Sequence, residues 1–271
     1  MNEYDNQPDF AHNMLVDDFL HALRDYQLDK WQWALAILSA VILGISKAGI
    51  NSISIITVTA LAYVFGSKTS TGILLPMLLL ADIFAVLRFK RHTQWRYLLR
   101  MLPWMLAGVV AGAWIGRDID EKVFKKVMAA IILTSVVIMF WQERKKTAHI
   151  PHHWSFAGVM GLGAGFTTMV GNLAGGFSNV YFLSMRLPKN EFIGTAAWLF
   201  FIVNAFKLPF HIFSWKTVNA DSVAINVVLL PFLIAGFYTG LQIVRSVAED
   251  RYRQLILWLT ASSVLLIALD L

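Results

Sequence analysis

The chain has 271 residues, of which 57% are hydrophobic and 15% charged, with a formal net charge of +6. An average soluble domain carries roughly 25% charged residues, so this composition excludes a water-exposed surface of ordinary polarity and makes the bilayer the solvent. Cysteine is absent, which excludes disulfide scaffolds, thiolate metal sites and cysteine nucleophiles.

Residues 1–30 form an acidic, mixed arm without the basic start and apolar run of a signal peptide. Within it, residues 10–23 carry apolar side chains at helical spacing, which suits either a short amphipathic helix on the membrane surface or a solvated arm packed on the core.

Apolar runs then follow at 31–46, 50–65, 72–89, 101–116, 127–142, 154–170, 173–185, 192–206, 223–241 and 255–269. A straight spanning helix needs about 20 residues, so several are short. The shortest form two close pairs, joined at Lys47-Ala48-Gly49 and at Gly171-Asn172. Glycine and polar residues at such joins predict broken or re-entrant hairpins whose tips end inside the membrane. Trp31, Trp33, Trp95, Trp141, Trp154 and Trp215 stand near segment ends, where indole rings anchor at headgroup depth.

The second half echoes the first. Leu102-Pro103, Ala107-Gly108 and Gly112 recur as Leu230-Pro231, Ala235-Gly236 and Gly240, and Arg117, Glu121 and Phe124 continue in register with Arg245, Glu249 and Tyr252. Upstream, in a slightly shorter register, Gly49 matches Gly171, Gly72 matches Gly194 and Asp82 falls opposite Asn204. Each half holds a short pair plus three longer segments, an odd number of crossings, so consecutive copies have opposite membrane orientation. The expected fold is therefore an all-α integral membrane protein of about ten helical segments in two inverted five-segment repeats, at 31–142 and 154–271 around a basic connector at 143–153.

The clusters Arg88, Lys90, Arg91, Arg96, Arg100 and Arg144, Lys145, Lys146 orient these segments with their loops toward the cytoplasm. In short clusters between apolar runs they form no nucleic-acid footprint. Gly108 with Gly112 and Gly236 with Gly240 are spaced for close helix packing between the halves.

Hairpins entering from opposite faces bring their tips together near the midplane, each presenting a helix N-terminus that favours an anion. The first tip offers Ser46, Lys47, Gly49 and Asn51; the second offers Thr167, Thr168, Gly171 and Asn172. One cation among neutral donors suits a small organic or inorganic anion with several acceptor oxygens. Lys47 at an interface, snorkelling, and glycines that merely pack helices are the competing readings.

Asp82, about ten residues into an apolar run, should face the protein interior with a partner or be neutral, unless it simply lies near the segment's cytoplasmic end. It is a candidate for the coupling proton, with Asn204 as its non-titrating counterpart, or else the counter-ion of Lys47 or Lys207. Lys207, near Pro209, reads first as an interfacial lysine and second as a cation beside the pathway. His92, His149, His152 and His153 fall in basic loops without metal-ligand spacing, and the sequence calls for no cofactor and no metal.

With the repeat and tips in hand, residues 31–271 resemble the sulfite exporter TauE/SafE family, also called the toluene sulfonate uptake permeases. The matching features are two homologous halves, a glycine-containing break early in each, and the Leu-Pro…Ala-Gly…Gly segment in each; here the glycines at the breaks are spaced rather than adjacent. The resemblance implies a multi-pass carrier of the cell inner membrane for sulfite, sulfonate or sulfoacetate-type anions, with membrane lipid around it and no enzymatic role. A drug/metabolite-type exporter shares the same two-halved topology and is the alternative; oligomeric state is left open.

Overall fold

The computed structural model describes residues 28–117 and 154–248, with positions 120, 123, 126, 251, 252, 254 and 255 beside them. The N-terminal arm up to residue 27, the connector at 143–153, Trp141 and most of the fifth and tenth apolar runs lie outside the described residues.

The described chain is helical throughout. The first half contributes α1 (Lys30–Lys47), a 3-10 turn (Asn51–Ile53), α2 (Ser54–Phe65), α3 (Ser67–Phe89) and α4 (Trp95–Arg117). The second contributes α5 (Trp154–Gly171), α6 (Gly175–Ser184), α7 (Lys189–Pro209), a π-helical turn (Phe210–Ser214) and α8 (Ala220–Ser246).

Four helical stretches among the described residues, Ser67–His92, Trp95–Arg117, Lys189–Ser214 and Ala220–Ser246, are long and apolar enough to cross a bilayer. At 1.5 Å per residue, α2 and α6 reach only about 15–18 Å, roughly half of a ~30 Å hydrocarbon core. The outer surface carries Tyr63, Trp114, Val159, Phe213 and Tyr238 exposed. That apolar coat would favour aggregation in water and suits lipid.

Local chemistry fixes where the elements begin and break. Asp29 and Gln32 form a reciprocal capping box at the start of α1, and Asn219 and Ser222 do the same for α8. The first break follows Lys47, where Gly49 adopts φ 140°, a conformation open to glycine. The second falls at Asn172, with φ 56°, in the left-handed region that asparagine tolerates. The two breaks thus fall at or beside Gly49 and Gly171, the glycines that the sequence reading pairs.

Packing follows the small residues. α4 lies along α5: a Cβ on Gly165 would stand 1.9 Å from the Met105 carbonyl oxygen, and one on Gly108 would stand 2.3 Å from that of Leu162. α8 lies along α1 in the same way, with Gly236 against Val41 and Gly44 against Leu233. α3 and α7 pack on each other between these two helix pairs.

Beyond each central helix the chain folds back over the other: Thr217 covers Gly72 of α3, and Phe89 and His92 cover Gly194 of α7. Trp215 corrects the reading of every tryptophan as an interfacial anchor. It is buried, donates its indole N–H to the Ala113 carbonyl oxygen at 3.0 Å and packs on Gly116. Trp31, Trp95 and Trp154 are exposed.

Candidate functional site

The two breaks meet. Ser46, Lys47, Asn51 and Ser54 of the first line one side of a pocket, and Thr168, Asn172, Ala174 and Gly175 of the second line the other. Phe200 and Asn204 of α7 and Leu78 of α3 complete it. The space amounts to about 350 Å³ counted to its open mouth. The N-terminus of α6 opens here without a side-chain cap, so its first-turn N–H groups face the same region.

A chain of buried polar groups runs behind the pocket. Lys47 Nζ reaches Asp82 Oδ1 at 2.6 Å and lies 4.8 Å from the centroid of the Phe200 ring. Asn204 Nδ2 donates to Asp82 Oδ2 at 2.7 Å. Lys207 Nζ donates to Asn204 Oδ1 at 3.3 Å, Thr168 Oγ1 at 3.2 Å and Asn172 Oδ1 at 2.5 Å. Asn172 Nδ2 donates to the Thr71 carbonyl oxygen at 3.2 Å and so ties the second break to α3.

Of the residues read from the sequence as a substrate site, Ser46, Lys47, Asn51, Thr168 and Asn172 line the pocket together. Gly49, Thr167 and Gly171 do not line it and serve the turns instead. The Gly49 carbonyl accepts the Tyr252 hydroxyl, and Thr167 Oγ1 bonds the carbonyl oxygens of Ala164 and Leu173 across the second break. Asp82 is wholly buried behind Lys47 and outside the pocket wall, whereas Asn204 reaches it.

Lys207 is the main correction. The reading of it as an interfacial lysine fails, because its side chain is wholly buried and spends its donors on Thr168 and Asn172 of the second break and on Asn204 of its own helix. His211, one turn further on and also wholly buried, is a residue the sequence reading passed over. The signal was present as a polar stripe: Asn204, Lys207 and His211 recur at spacings of three and four, one face of an otherwise apolar helix.

Among the described residues, the buried Lys, Arg, Asp and Glu side chains are Lys47, Asp82 and Lys207. Two lysines against one aspartate leave a formal excess of one positive charge beside the pocket. Isolated charge is costly in a low-dielectric interior, so this arrangement favours an anion there.

A family model described as Sulfite exporter TauE/SafE matches residues 33–267. No curated protein and no solved structure matches the chain.

Proposed function

This chain belongs to the sulfite exporter TauE/SafE family, a family of multi-pass membrane transporters, and we propose from that premise that it carries a small sulfur oxyanion or organosulfonate across the cell inner membrane. The anion binds between the two helix breaks near the bilayer midplane and is exposed to each side in turn. The observation that carries this reading is the formal excess of positive charge at a pocket built by both breaks, with Lys47 in its wall.

The inverted repeat supports alternating access. Exchanging the two sequence halves turns the α4–α5 packing into α8–α1, returns the α3–α7 crossing to itself, and swaps the cover over Gly72 for the cover over Gly194. Contacts that map onto one another in this way are what two inverted copies produce, and rocking of one against the other is the usual route to alternating access. The units we assign are a first repeat at 31–142, a connector at 143–153 and a second repeat at 154–271, preceded by the arm at 1–30. Arg88, Lys90, Arg91 and Arg96, all exposed around the turn between α3 and α4, support a cytoplasmic position for that loop.

Ser46, Lys47, Asn51, Thr168 and Asn172 are the proposed anion-binding side chains, with Gly49, Thr167 and Gly171 shaping the turns that present them. We read Asp82 as the carboxylate that positions Lys47, since both of its oxygens are engaged. Calorimetric titration of the purified protein with sulfite, thiosulfate and isethionate, with acetate and a neutral solute as controls, tests the proposal. The sulfur oxyanions should bind in competition with one another, and equal affinity for the neutral solute, or no binding at all, would sink it.

A further inference from the structure

The transport reading uses Lys207 only as a formal charge and leaves His211 without a task. Lys207 Nζ has three acceptors, Thr168 Oγ1, Asn172 Oδ1 and Asn204 Oδ1, and all are uncharged. Neither amide is free to turn, because Asn172 Nδ2 is committed to the Thr71 carbonyl and Asn204 Nδ2 to the Asp82 carboxylate. Asp82 in turn gives its other oxygen to Lys47 at 2.6 Å.

This cradle accepts Lys207 in either protonation state. An ammonium donates to all three oxygens; a neutral amine donates to the two amide oxygens and receives the Thr168 hydroxyl hydrogen on its lone pair. The Lys47–Asp82 pair lacks that freedom, since a proton added to Asp82 removes the counter-ion of a buried ammonium. A proton on Lys207 and an anion in the adjoining pocket supply each other's missing counter-charge, so each strengthens the binding of the other.

His211 stands four residues after Lys207 on the same polar stripe. His211 Nδ1 lies 2.8 Å from Thr217 Oγ1, and its Nε2 is buried with no partner among the described residues. Thr217 is partly exposed and precedes exposed Asn219 in the segment that covers Gly72. The charged groups acting on Lys207 are Lys47 from α1 and Asp82 from α3, and Lys207 acts in turn on His211; the second break offers the neutral Thr168 and Asn172.

We propose that Lys207 binds the proton that accompanies the transported anion, and that His211 carries this proton between Lys207 and the Thr217 segment. The proposal rests on the transport reading of the pocket. A proton passes from water to an imidazole nitrogen and on to the Lys207 lone pair as the anion binds, and returns to water when the anion leaves. One proton and one anion therefore cross together.

Isethionate is the probe, because a sulfonate keeps a single charge across the neutral pH range and adds no titration of its own. Binding to the wild-type protein in weak buffer with a pH indicator should take up about one proton per anion, with affinity falling about tenfold per pH unit on the alkaline side. Lys207→Arg, whose guanidinium stays protonated, should bind without proton uptake and without that pH dependence. His211→Gln should keep the proton stoichiometry at equilibrium yet slow proton-driven isethionate flux into proteoliposomes.

Wild-type binding of isethionate with no proton uptake overturns the proposal whatever the variants do. Uptake that persists in a folded Lys207→Arg protein, or that is abolished by Asp82→Asn and not by Lys207→Arg, overturns it as well. An unchanged flux in His211→Gln removes the relay. If the wild-type protein binds neither isethionate, sulfite nor thiosulfate, the transport reading itself falls and this proposal falls with it.

Discussion

Asn204 Nδ2 donates to Asp82 Oδ2 across 2.7 Å, and the two residues occupy the same place in the two sequence repeats. The bond joins α3 to α7 where the two helices pack on each other. It also explains why the counterparts differ. Two aspartates at this separation would bring like charges together in an apolar interior, whereas a carboxylate and an amide make a charge-assisted hydrogen bond.

Asp82→Asn should therefore act first on stability. The change leaves the Lys47 ammonium buried without its carboxylate, which commonly costs ~3–5 kcal/mol. A clear drop in melting temperature is the expected result. An unchanged melting curve combined with lost proton-driven flux would instead give Asp82 the coupling proton, and undiminished flux with intact stability would reject both roles.

Combining Lys47→Met with Asp82→Asn should recover part of that loss, because the Lys47 ammonium and its carboxylate are then removed together and the two changes are coupled through one contact. Anion binding should not recover. Losing one charge-assisted hydrogen bond is worth about 1.5–3 kcal/mol, or roughly 10- to 150-fold in affinity. Melting curves and sulfite calorimetry on both single variants and the double variant measure the two effects separately; full affinity in the double variant would return Lys47 to a purely structural role.

The glycines separate into those that pack helices and those that shape the site. A Cβ on Gly165 would stand 1.9 Å from the backbone of α4, and backbone cannot step aside cheaply. On Gly175, in the pocket wall, the nearest atom would be 3.8 Å away. Gly165→Ala should thus reduce the yield of folded protein or its melting temperature, and Gly175→Ala should fold normally. Equal stability of the two would show that α4 and α5 approach less closely than described.

Much of this architecture was legible in the sequence because apolar run length and breaks are local properties. Lys47-Ala48-Gly49 and Gly171-Asn172 stand out as polar, glycine-bearing interruptions, and α1, α2, α5 and α6 end close to them. Long-range partnership was not legible. A lysine near the end of an apolar run reads the same whether it snorkels or turns inward, and the Lys47–Asp82 pair spans 35 positions while the Asn204–Asp82 bond spans 122. Trp215 shows the same limit: its place near a segment end suits an anchor, and only the fold brings the Ala113 carbonyl to its indole nitrogen.

Asn172→Asp tests whether the anion serves as the counter-charge of the site. The wild-type Asn172 Oδ1 lies 2.5 Å from Lys207 Nζ, so an aspartate there supplies a carboxylate to the buried lysine that, among the described residues, lacks an acidic contact. The change gives up the hydrogen bond from Nδ2 to the Thr71 carbonyl, typically worth about 1 kcal/mol, and gains an ion pair within a site already shaped for one. Stability without ligand should therefore hold or rise. Anion binding should suffer, since the excess positive charge is gone and a negative charge now stands in the pocket wall. A ligand at one hundred times its Kd stabilises a protein by about 2.7 kcal/mol, so the rise in melting temperature that isethionate gives the wild type should disappear in Asn172→Asp. If the variant is stabilised by isethionate as strongly as the wild type, the buried lysines do not hold the anion, and the site must lie elsewhere in the chain.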